Sequence, residues 1–158
     1  YLEYNIKCDI YPNIDLNDTE GFLPFKILFE DTNINEIKGK YLLSGFELYV
    51  YDNDDNMAEV LRDDSGEDIE KYRNKIIDAK KNIMFSFDEE SDPIEGVFSY
   101  IAIRMLAKLL NGVIYDTYRG IYFDSNEFNV IENDKIDDMI LEYSENGDLI
   151  IHEFEAWD

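Results

Sequence analysis

Aspartate and asparagine side chains at alternate positions form the first group in this chain whose spacing suggests chemistry. Asp52, Asp54 and Asn56 occupy the first, third and fifth positions of an EF-hand-type calcium loop. Such a loop has glycine at its sixth position and a bidentate glutamate at its twelfth, where this chain has Met57 and Asp63. The flanking segments also have the pattern of strands and not of helices. We therefore interpret this stretch as a solvated polar turn.

Residues for nucleophilic or zinc chemistry are scarce. The single histidine, His152, falls in a β-like run, and no serine sits in a G-x-S-x-G elbow. One histidine and one cysteine, Cys8, cannot supply the usual zinc ligands, and no glycine-rich phosphate loop is present. Dense carboxylates at 63–68 and 88–92 are typical of helix entries, although they leave a carboxylate-metal enzyme open as an alternative. We predict no catalytic residues, no metal and no cofactor.

The charge balance is the strongest signal in the sequence. Asp and Glu number 37 against 14 Lys and Arg, which gives a net charge of −23. Hydrophobic residues at 45% and aromatic residues at 15% are too many for a disordered acidic tail, so the charge belongs to a folded chain. Self-repulsion on this scale lowers stability, so such a charge is tolerated either for solubility or because the partner is basic. Direct binding to nucleic acid or to an anionic membrane is not expected, because both need a Lys/Arg patch.

Length and cysteine content set further limits. A chain of 158 residues is the usual size of one domain, and we predict a single α+β domain over residues 1–158. One cysteine excludes an internal disulfide and fits a reducing compartment, so we expect a cytoplasmic protein. No apolar run approaches the roughly 18 residues of a membrane helix. The sequence leaves the oligomeric state open.

The N-terminal third has the pattern of an antiparallel meander. Residues 1–10 alternate between apolar and polar types, which predicts a half-buried strand with Cys8 on its core face. Residues 25–31 and 41–52 are predicted to form the second and third strands, with Gly45 as a bulge. The short, non-helical connections favour antiparallel pairing of the three strands.

Two segments have helical spacing. The first covers residues 66–82, with acids at its start and lysines at its end, an order that suits the helix dipole. The second, residues 93–111, is predicted to be central and largely buried. Its start is capped by Asp92 or Ser91, and Gly112 ends it.

Shorter strands complete the predicted sheet. One covers residues 83–90 between the two helices, and residues 112–116 and 120–124 have the pattern of a tight hairpin. The prediction for the whole chain is an α+β fold with a mostly antiparallel sheet and about two helices.

The C-terminal segment has two competing patterns. Asn146-Gly147 between two β-like runs indicates a hairpin of the type I′ kind, preceded by a helical turn at 134–138. A helix through residues 134–145 competes, because the apolar residues there also have helical spacing. We prefer the turn followed by the hairpin.

Tyrosines beside acids are the residues that we predict to contact the partner. A tyrosine offers rigid area and a polar tip at an interface, while carboxylates steer a basic partner. The predicted partner-binding residues are Tyr51, Asp52, Asp54, Asp55, Asp63, Asp64, Asp88, Glu89, Glu90, Asp116, Tyr118, Tyr122 and Asp124.

Residues 103–124 add a family resemblance. A helix with the pair Leu106-Ala107 ends at Gly112 and continues into Ile114-Tyr115-Asp116, a turn and a second short strand. This stretch resembles a segment of bacterial immunity proteins of polymorphic-toxin systems. Thr117-Tyr118-Arg119 stands where those proteins more usually have a proline-bearing turn.

The resemblance implies a cytoplasmic inhibitor that binds a cognate toxin domain, often a basic nuclease, and occludes its active site. We adopt this as the primary hypothesis because the acidic charge supports it independently. A phage-type DNA mimic, an anti-defence protein that binds a host DNA-handling enzyme, would have almost the same sequence profile. A self-associating structural or assembly module is a further alternative.

Overall fold

The computed structural model describes residues 5–12, 21–53, 67–87, 92–117, 119–124, 136–143 and 149–157. In chain order its strands and helices are β1 (Ile6–Ile10), β2 (Gly21–Phe29), β3 (Leu42–Asp52), α1 (Glu67–Ile77), β4 (Lys81–Ser86), α2 (Pro93–Leu110), β5 (Val113–Asp116), β6 (Ile121–Asp124) and α3 (Ile136–Tyr143). Within these residues, three helices and six antiparallel strands confirm the predicted α+β class, with one helix more than expected.

The main sheet keeps the order of the chain. Its strands lie in the order β1-β2-β3-β4, and β5 pairs with β6 in a separate two-stranded sheet. The predicted meander of the first three strands and the predicted β5–β6 hairpin are both confirmed.

Hydrogen bonds at the two ends of β1 show which of its backbone groups face β2. Glu30 N–H donates to the Asn5 carbonyl at 2.8 Å, and Tyr11 N–H donates to the Pro24 carbonyl at 3.2 Å. In the β1–β2 register these bonds show that the backbone N–H and C=O groups of the odd-numbered residues of β1 face β2. The N–H and C=O groups of the even-numbered residues therefore point to the outer edge of the sheet. Pro24 is tolerated because its missing N–H faces the end of β1.

Gly45 lies in regular pairing and not in the predicted bulge. The register of β2 with β3 runs without interruption along both strands and places Pro24 opposite Gly45. The ring of Phe22 covers this glycine. A Cβ at Gly45 would lie 2.6 Å from Phe22 Cζ and 2.2 Å from the carbonyl oxygen of Leu23. Close approach of neighbouring atoms, and not a bulge, is thus what requires glycine here.

Internal contacts divide the chain into two compact units. Unit 1 comprises Tyr1–Tyr49, Phe85–Ile101 and Ile131–Asp158, and unit 2 comprises Val50–Met84 and Ala102–Val130. The single domain over residues 1–158 stays a prediction. No helix in the described part of the chain has the length and apolar character to cross a membrane.

Aromatic rings form the centre of unit 1. Phe25, Phe46 and Phe98 are in mutual contact, with ring centroids 5.1 to 5.9 Å apart. Phe98 belongs to the first half of α2, where most residues of Pro93–Ile101 are buried. Burial does not continue to the end of the helix, since Leu109 is 80% exposed.

Both ends of α2 are capped. Asp92 Oδ1 accepts a hydrogen bond from Glu95 N–H at 2.9 Å, which confirms Asp92 as the N-cap. At the other end, Asn111 has a φ of 52°, and Gly112 N–H donates to the Ala107 carbonyl at 2.7 Å. This is a Schellman arrangement with Asn111 as its left-handed residue, and it ends the helix just before Gly112.

The core of unit 2 lies between α1 and the β5–β6 hairpin. Ile69, Tyr72 and Ile76 of α1 form a buried cluster, against which Val113 and Tyr122 pack. These α1 residues have the helical spacing that predicted the helix. Its apolar face is therefore the face that holds the hairpin.

The preferred prediction is wrong for residues 136–143. The chain forms the helix α3 where the Asn-Gly signal predicts a short turn and a strand. The first turn of α3 contains Asp137, which accepts hydrogen bonds from the distant Thr32 and Asn33. A long-range contact of this kind is not contained in any local turn signal. Residues 146 and 147 lie outside the described residues.

Residues 149–157 pair with the start of β3. Leu43 N–H donates to the His152 carbonyl at 2.7 Å, and Phe154 N–H donates to the Tyr41 carbonyl at 2.8 Å. His152 is thus a sheet-associated residue, as predicted. Its Nε2 lies 3.9 Å from Oδ2 of Asp92.

Cys8 lies on the predicted face of β1 but is not a core residue. The register places it opposite Ile27, which is fully buried. Cys8 itself is exposed, although Ile6 on the same face of β1 is buried. Partial burial raises the pKa of the Cys8 thiol, and the neighbouring Asp9 carboxylate raises it further.

The substitution Gly45→Ala tests the close approach in unit 1. We expect it to lower the free energy of unfolding by about 1–3 kcal/mol, because its Cβ meets a backbone oxygen that can move only with β2. Gly112→Ala is the matched control, since its Cβ would meet Ala107 at an ordinary 3.5 Å. Urea denaturation measures both variants, and equal losses would contradict this explanation.

Candidate partner-binding surfaces

The described residues include part of the predicted partner-binding set. Tyr51, Asp52, Asp116, Tyr122 and Asp124 are described, and all five belong to unit 2. The remaining predicted residues lie outside the described residues: Asp54, Asp55, Asp63, Asp64, Asp88, Glu89, Glu90 and Tyr118.

Asp116 holds the turn of the β5–β6 hairpin. Its Oδ1 accepts a hydrogen bond from Arg119 N–H at 3.0 Å, and its backbone carbonyl accepts one from Gly120 N–H at 2.8 Å. Arg119 Nε also lies 3.8 Å from Oδ2 of Asp116. Gly120 has a φ of 67°, which this turn needs and which a side chain would disfavour. Asp116 therefore has a structural role that is independent of any partner.

Asp124 ties the hairpin to α1. Lys75 Nζ lies 3.0 Å from Asp124 Oδ2, and both side chains are largely covered. The backbone N–H of Asp124 donates to Tyr72 Oη at 3.2 Å. These contacts neutralise Asp124 within unit 2 and leave it less charge to offer a partner.

The β5–β6 hairpin contains two stacked tyrosines, and one of the two rings is exposed. The rings of Tyr115 and Tyr122 lie 4.5 Å apart at an angle of 24°. Tyr122 packs on the α1 cluster, whereas Tyr115 is 48% exposed. Tyr115 is absent from the predicted set because alternation in such short strands does not show which face is covered. Its exposure makes it the better aromatic contact of the two.

Residues 52–55, which we call the acidic run, include one firmly held residue, Asn53. Asn53 Nδ2 donates to the carbonyls of Ile76 at 3.0 Å and Ala79 at 2.7 Å, and Asn53 N–H donates to the Lys80 carbonyl at 3.0 Å. Asn53 thus satisfies carbonyls at the C-terminal end of α1, where helices leave such groups unpaired. The sequence pattern, which indicated a solvated turn, gave no sign of this anchoring role.

Among the five described residues of the predicted set, Tyr51 and Asp52 are the exposed ones. The Asp52 side chain is 84% exposed and lies 2.7 Å from Lys81 Nζ, in an ion pair open to solvent. Such a pair contributes little to stability and is easily exchanged for another cation. The Tyr51 side chain is also exposed. These two residues therefore keep the properties that a contact with a basic partner needs.

Unit 1 contains an acidic depression that the sequence did not reveal, which we call the Asp137 cavity. It has a volume of about 370 Å³ and is lined by Asn5, Phe29, Asp31, Thr32, Asn33, Ile136 and Asp137. A neighbouring depression shares Asn33 and Asp137 and adds Glu36 and Asp138. No lysine or arginine is among the described residues that line either depression.

Hydrogen bonds to Asp137 build the wall of this cavity. Thr32 Oγ1 donates to Asp137 Oδ1 at 2.7 Å, and Asn33 N–H donates to Oδ2 at 2.6 Å. Thr32 Oγ1 also accepts from Ile34 N–H at 3.1 Å, which folds the loop after β2. Thr32 and Asp137 are 105 residues apart, so no local pattern could bring them together.

The exposed residues Tyr51 and Asp52 in unit 2 and the two depressions around Asp137 in unit 1 all present hydrogen-bond acceptors. Carboxylate oxygens and exposed rings suit the ammonium of a lysine or the guanidinium of an arginine on a partner. Among the described residues, no group of three or more His, Cys, Asp or Glu side chains is arranged to hold a metal ion.

Neighbouring aspartates in α3 allow a matched test of the Asp137 contacts. We expect Asp137→Ala to lower the free energy of unfolding by about 1.5–3 kcal/mol, because Thr32 and Asn33 lose a charged acceptor. Asp138→Ala, at an exposed position, is expected to change it by less than about 0.5 kcal/mol. Urea denaturation would contradict the assignment if the two variants were equally stable.

Comparisons with models of protein families, with curated proteins and with solved structures find no match to this chain.

Proposed function

We propose that the protein is an immunity protein that binds a basic toxin domain of the nuclease class and occludes its active site. The observation that carries this proposal is the net charge of −23 on a chain with a folded hydrophobic core. The resemblance of residues 103–124 to immunity proteins of polymorphic-toxin systems supports it. We further propose that it acts in the cytoplasm and has no catalytic activity of its own.

Charge supports this function through encounter and selectivity. A nuclease domain presents lysines and arginines to the phosphates of its substrate, and carboxylates on an inhibitor can take the same places. A single exposed ion pair contributes little, but many carboxylates together raise the association rate and reject acidic partners. Inhibition then follows from covering the site, and it needs no chemical step.

The contact surface that we propose centres on the acidic run, residues 52–55, which begins at the last residue of β3. Tyr51 and Asp52 are exposed, and Asn53 anchors the start of the run to the end of α1. A fixed start lowers the conformational entropy lost when the following carboxylates meet a partner. We place Asp54 and Asp55 in this contact on the basis of the sequence.

The same charge also fits a DNA mimic, and the partner's identity separates the two functions. Proteins captured from the native host at low salt are identified by mass spectrometry, and each candidate is purified and tested for direct binding. A small toxin domain whose nuclease activity is inhibited at a one-to-one ratio supports immunity. A restriction, CRISPR or other DNA-handling enzyme would instead support mimicry and overturn the proposal.

Charge reversal tests the contact surface once a partner is purified. We expect Asp54→Lys with Asp55→Lys to slow association at least about tenfold at low salt, because steering toward a basic site is lost. Folding stability should change by less than about 1 kcal/mol. Stopped-flow mixing measures the rates, and the difference between variant and parent should shrink near 0.5 M salt because the Debye length falls to a few ångströms.

The control reverses two exposed acids of unit 1 that line neither depression, Glu142→Lys with Glu155→Lys, so that the net charge changes equally. If Asp54→Lys with Asp55→Lys slows association more than the control does, the result supports the acidic run as the contact surface. If the control slows association as much, the contact surface is assigned wrongly. If neither reversal nor salt alters the rate, the steering argument fails altogether.

A further inference from the structure

The outer edge of β1 presents a row of backbone hydrogen-bonding groups. The odd-numbered residues of this strand bond to β2, so the N–H and C=O groups of Ile6, Cys8 and Ile10 point away from the sheet. Among the described strands, β1 is at the end of the order and has β2 as its neighbour. Such an edge is a template for a further antiparallel strand.

The sequence of β1 is self-complementary about Cys8. Antiparallel pairing of two copies centred on this residue places Ile6 of one copy opposite Ile10 of the other, and Lys7 opposite Asp9. In this register the outward-pointing residues form hydrogen-bonded pairs, each exchanging an N–H···O bond in both directions. The apolar pairs extend the core face, and the ion pairs lie on the opposite face.

Charge selects this register over its neighbours. Moving the centre by one residue toward the N-terminus places Lys7 opposite Lys7 of the other copy. Moving it by one residue the other way places Asp9 opposite Asp9. Like charges directly opposite each other destabilise a strand pair, so both shifts are disfavoured.

We propose that a second copy of this chain pairs antiparallel along the outer edge of β1, about a two-fold axis at Cys8. The two main sheets then join through their first strands. The interface is isologous, because the same residues face each other from both sides. This inference concerns assembly and is independent of the proposed toxin partner.

Net charge opposes this pairing and gives it a distinctive salt dependence. Two copies that each carry a charge of −23 repel one another at long range. Salt screens that repulsion, while the backbone hydrogen bonds and the apolar pairs remain. Self-association should therefore strengthen between about 0.05 M and 0.5 M salt, whereas binding of a basic partner should weaken over the same range.

Sedimentation equilibrium of the full chain at 0.5 M salt is the primary test. The expected species has about twice the chain mass of 18.6 kDa. Lys7→Asp and Asp9→Lys, each alone, place like charges opposite each other and should raise the dimer dissociation constant at least about tenfold. The double variant exchanges the two charges and should restore dimerisation.

Folding of each variant needs its own control, because both residues have neighbours within the copy. Lys7 Nζ lies 2.5 Å from Glu30, and Asp9 is opposite Lys26 in the β1–β2 register. Thermal unfolding of the dilute monomer separates a loss of folding from a loss of pairing. Cys8→Pro adds a variant that removes an outward N–H and leaves the bonds to β2 intact, with Cys8→Ser as its matched control.

Oxidative cross-linking reports the register directly. Opposite residues of a hydrogen-bonded pair have Cα atoms about 5.5 Å apart, within the range that a disulfide spans. Because the pKa of the Cys8 thiol is raised, the oxidation is run above pH 8.5 so that thiolate is available. We expect a Cys8–Cys8 dimer at 0.5 M salt, and none from the Cys8→Ser variant.

A chain that stays monomeric at millimolar concentration and 0.5 M salt would overturn the proposal. So would a dimer that forms equally well with Cys8→Pro, or a dimer whose strength does not depend on the signs of residues 7 and 9. A cross-link that forms only in the dimeric fraction, together with rescue by the charge exchange, would establish it.

Discussion

Mutual repulsion among carboxylates is the constraint on which the rest of the structure depends. The chain folds with a net charge of −23, so its apolar contacts must outweigh a long-range force that drives it apart. The fold meets this constraint with a dense aromatic core in unit 1 and a Tyr-containing cluster in unit 2. It also uses its few basic residues to join separate elements through ion pairs: Lys7–Glu30, Lys40–Glu153, Lys75–Asp124 and Lys81–Asp52.

Lys26 shows how one cation can organise aromatic side chains. Its Nζ lies 4.1 Å from the centre of the Tyr41 ring and 5.1 Å from that of Phe154. Trp157 contacts Phe154 and Tyr11 edge to face, with centroids 4.7 and 5.4 Å apart. A cation between rings gains from their negative faces. These contacts hold residues 149–157 in place within unit 1. They use Lys26, a base that could otherwise neutralise a carboxylate.

Local patterns predicted the elements well and the long-range contacts poorly. Alternation indicated β1, and helical spacing with an Asp92 cap indicated α2, because these signals lie within a few residues. The helix α3 was missed because the Asn-Gly turn signal was preferred to the helical spacing of Ile136 and Ile140, two residues that are buried in the fold. Likewise, charge alone did not show that Asp116 and Asp124 are occupied internally, or that Tyr115 and not Tyr122 is the exposed ring.

The central claim is that the negative charge is not compensated within the free protein and is therefore available to a basic partner. The free energy of unfolding, measured by urea denaturation between 10 mM and 500 mM NaCl, tests it most directly. If the carboxylates repel one another, screening should raise that free energy by about 1–3 kcal/mol over this range. A value that stayed constant or fell would mean that the ion pairs already balance the charge, and it would contradict the account.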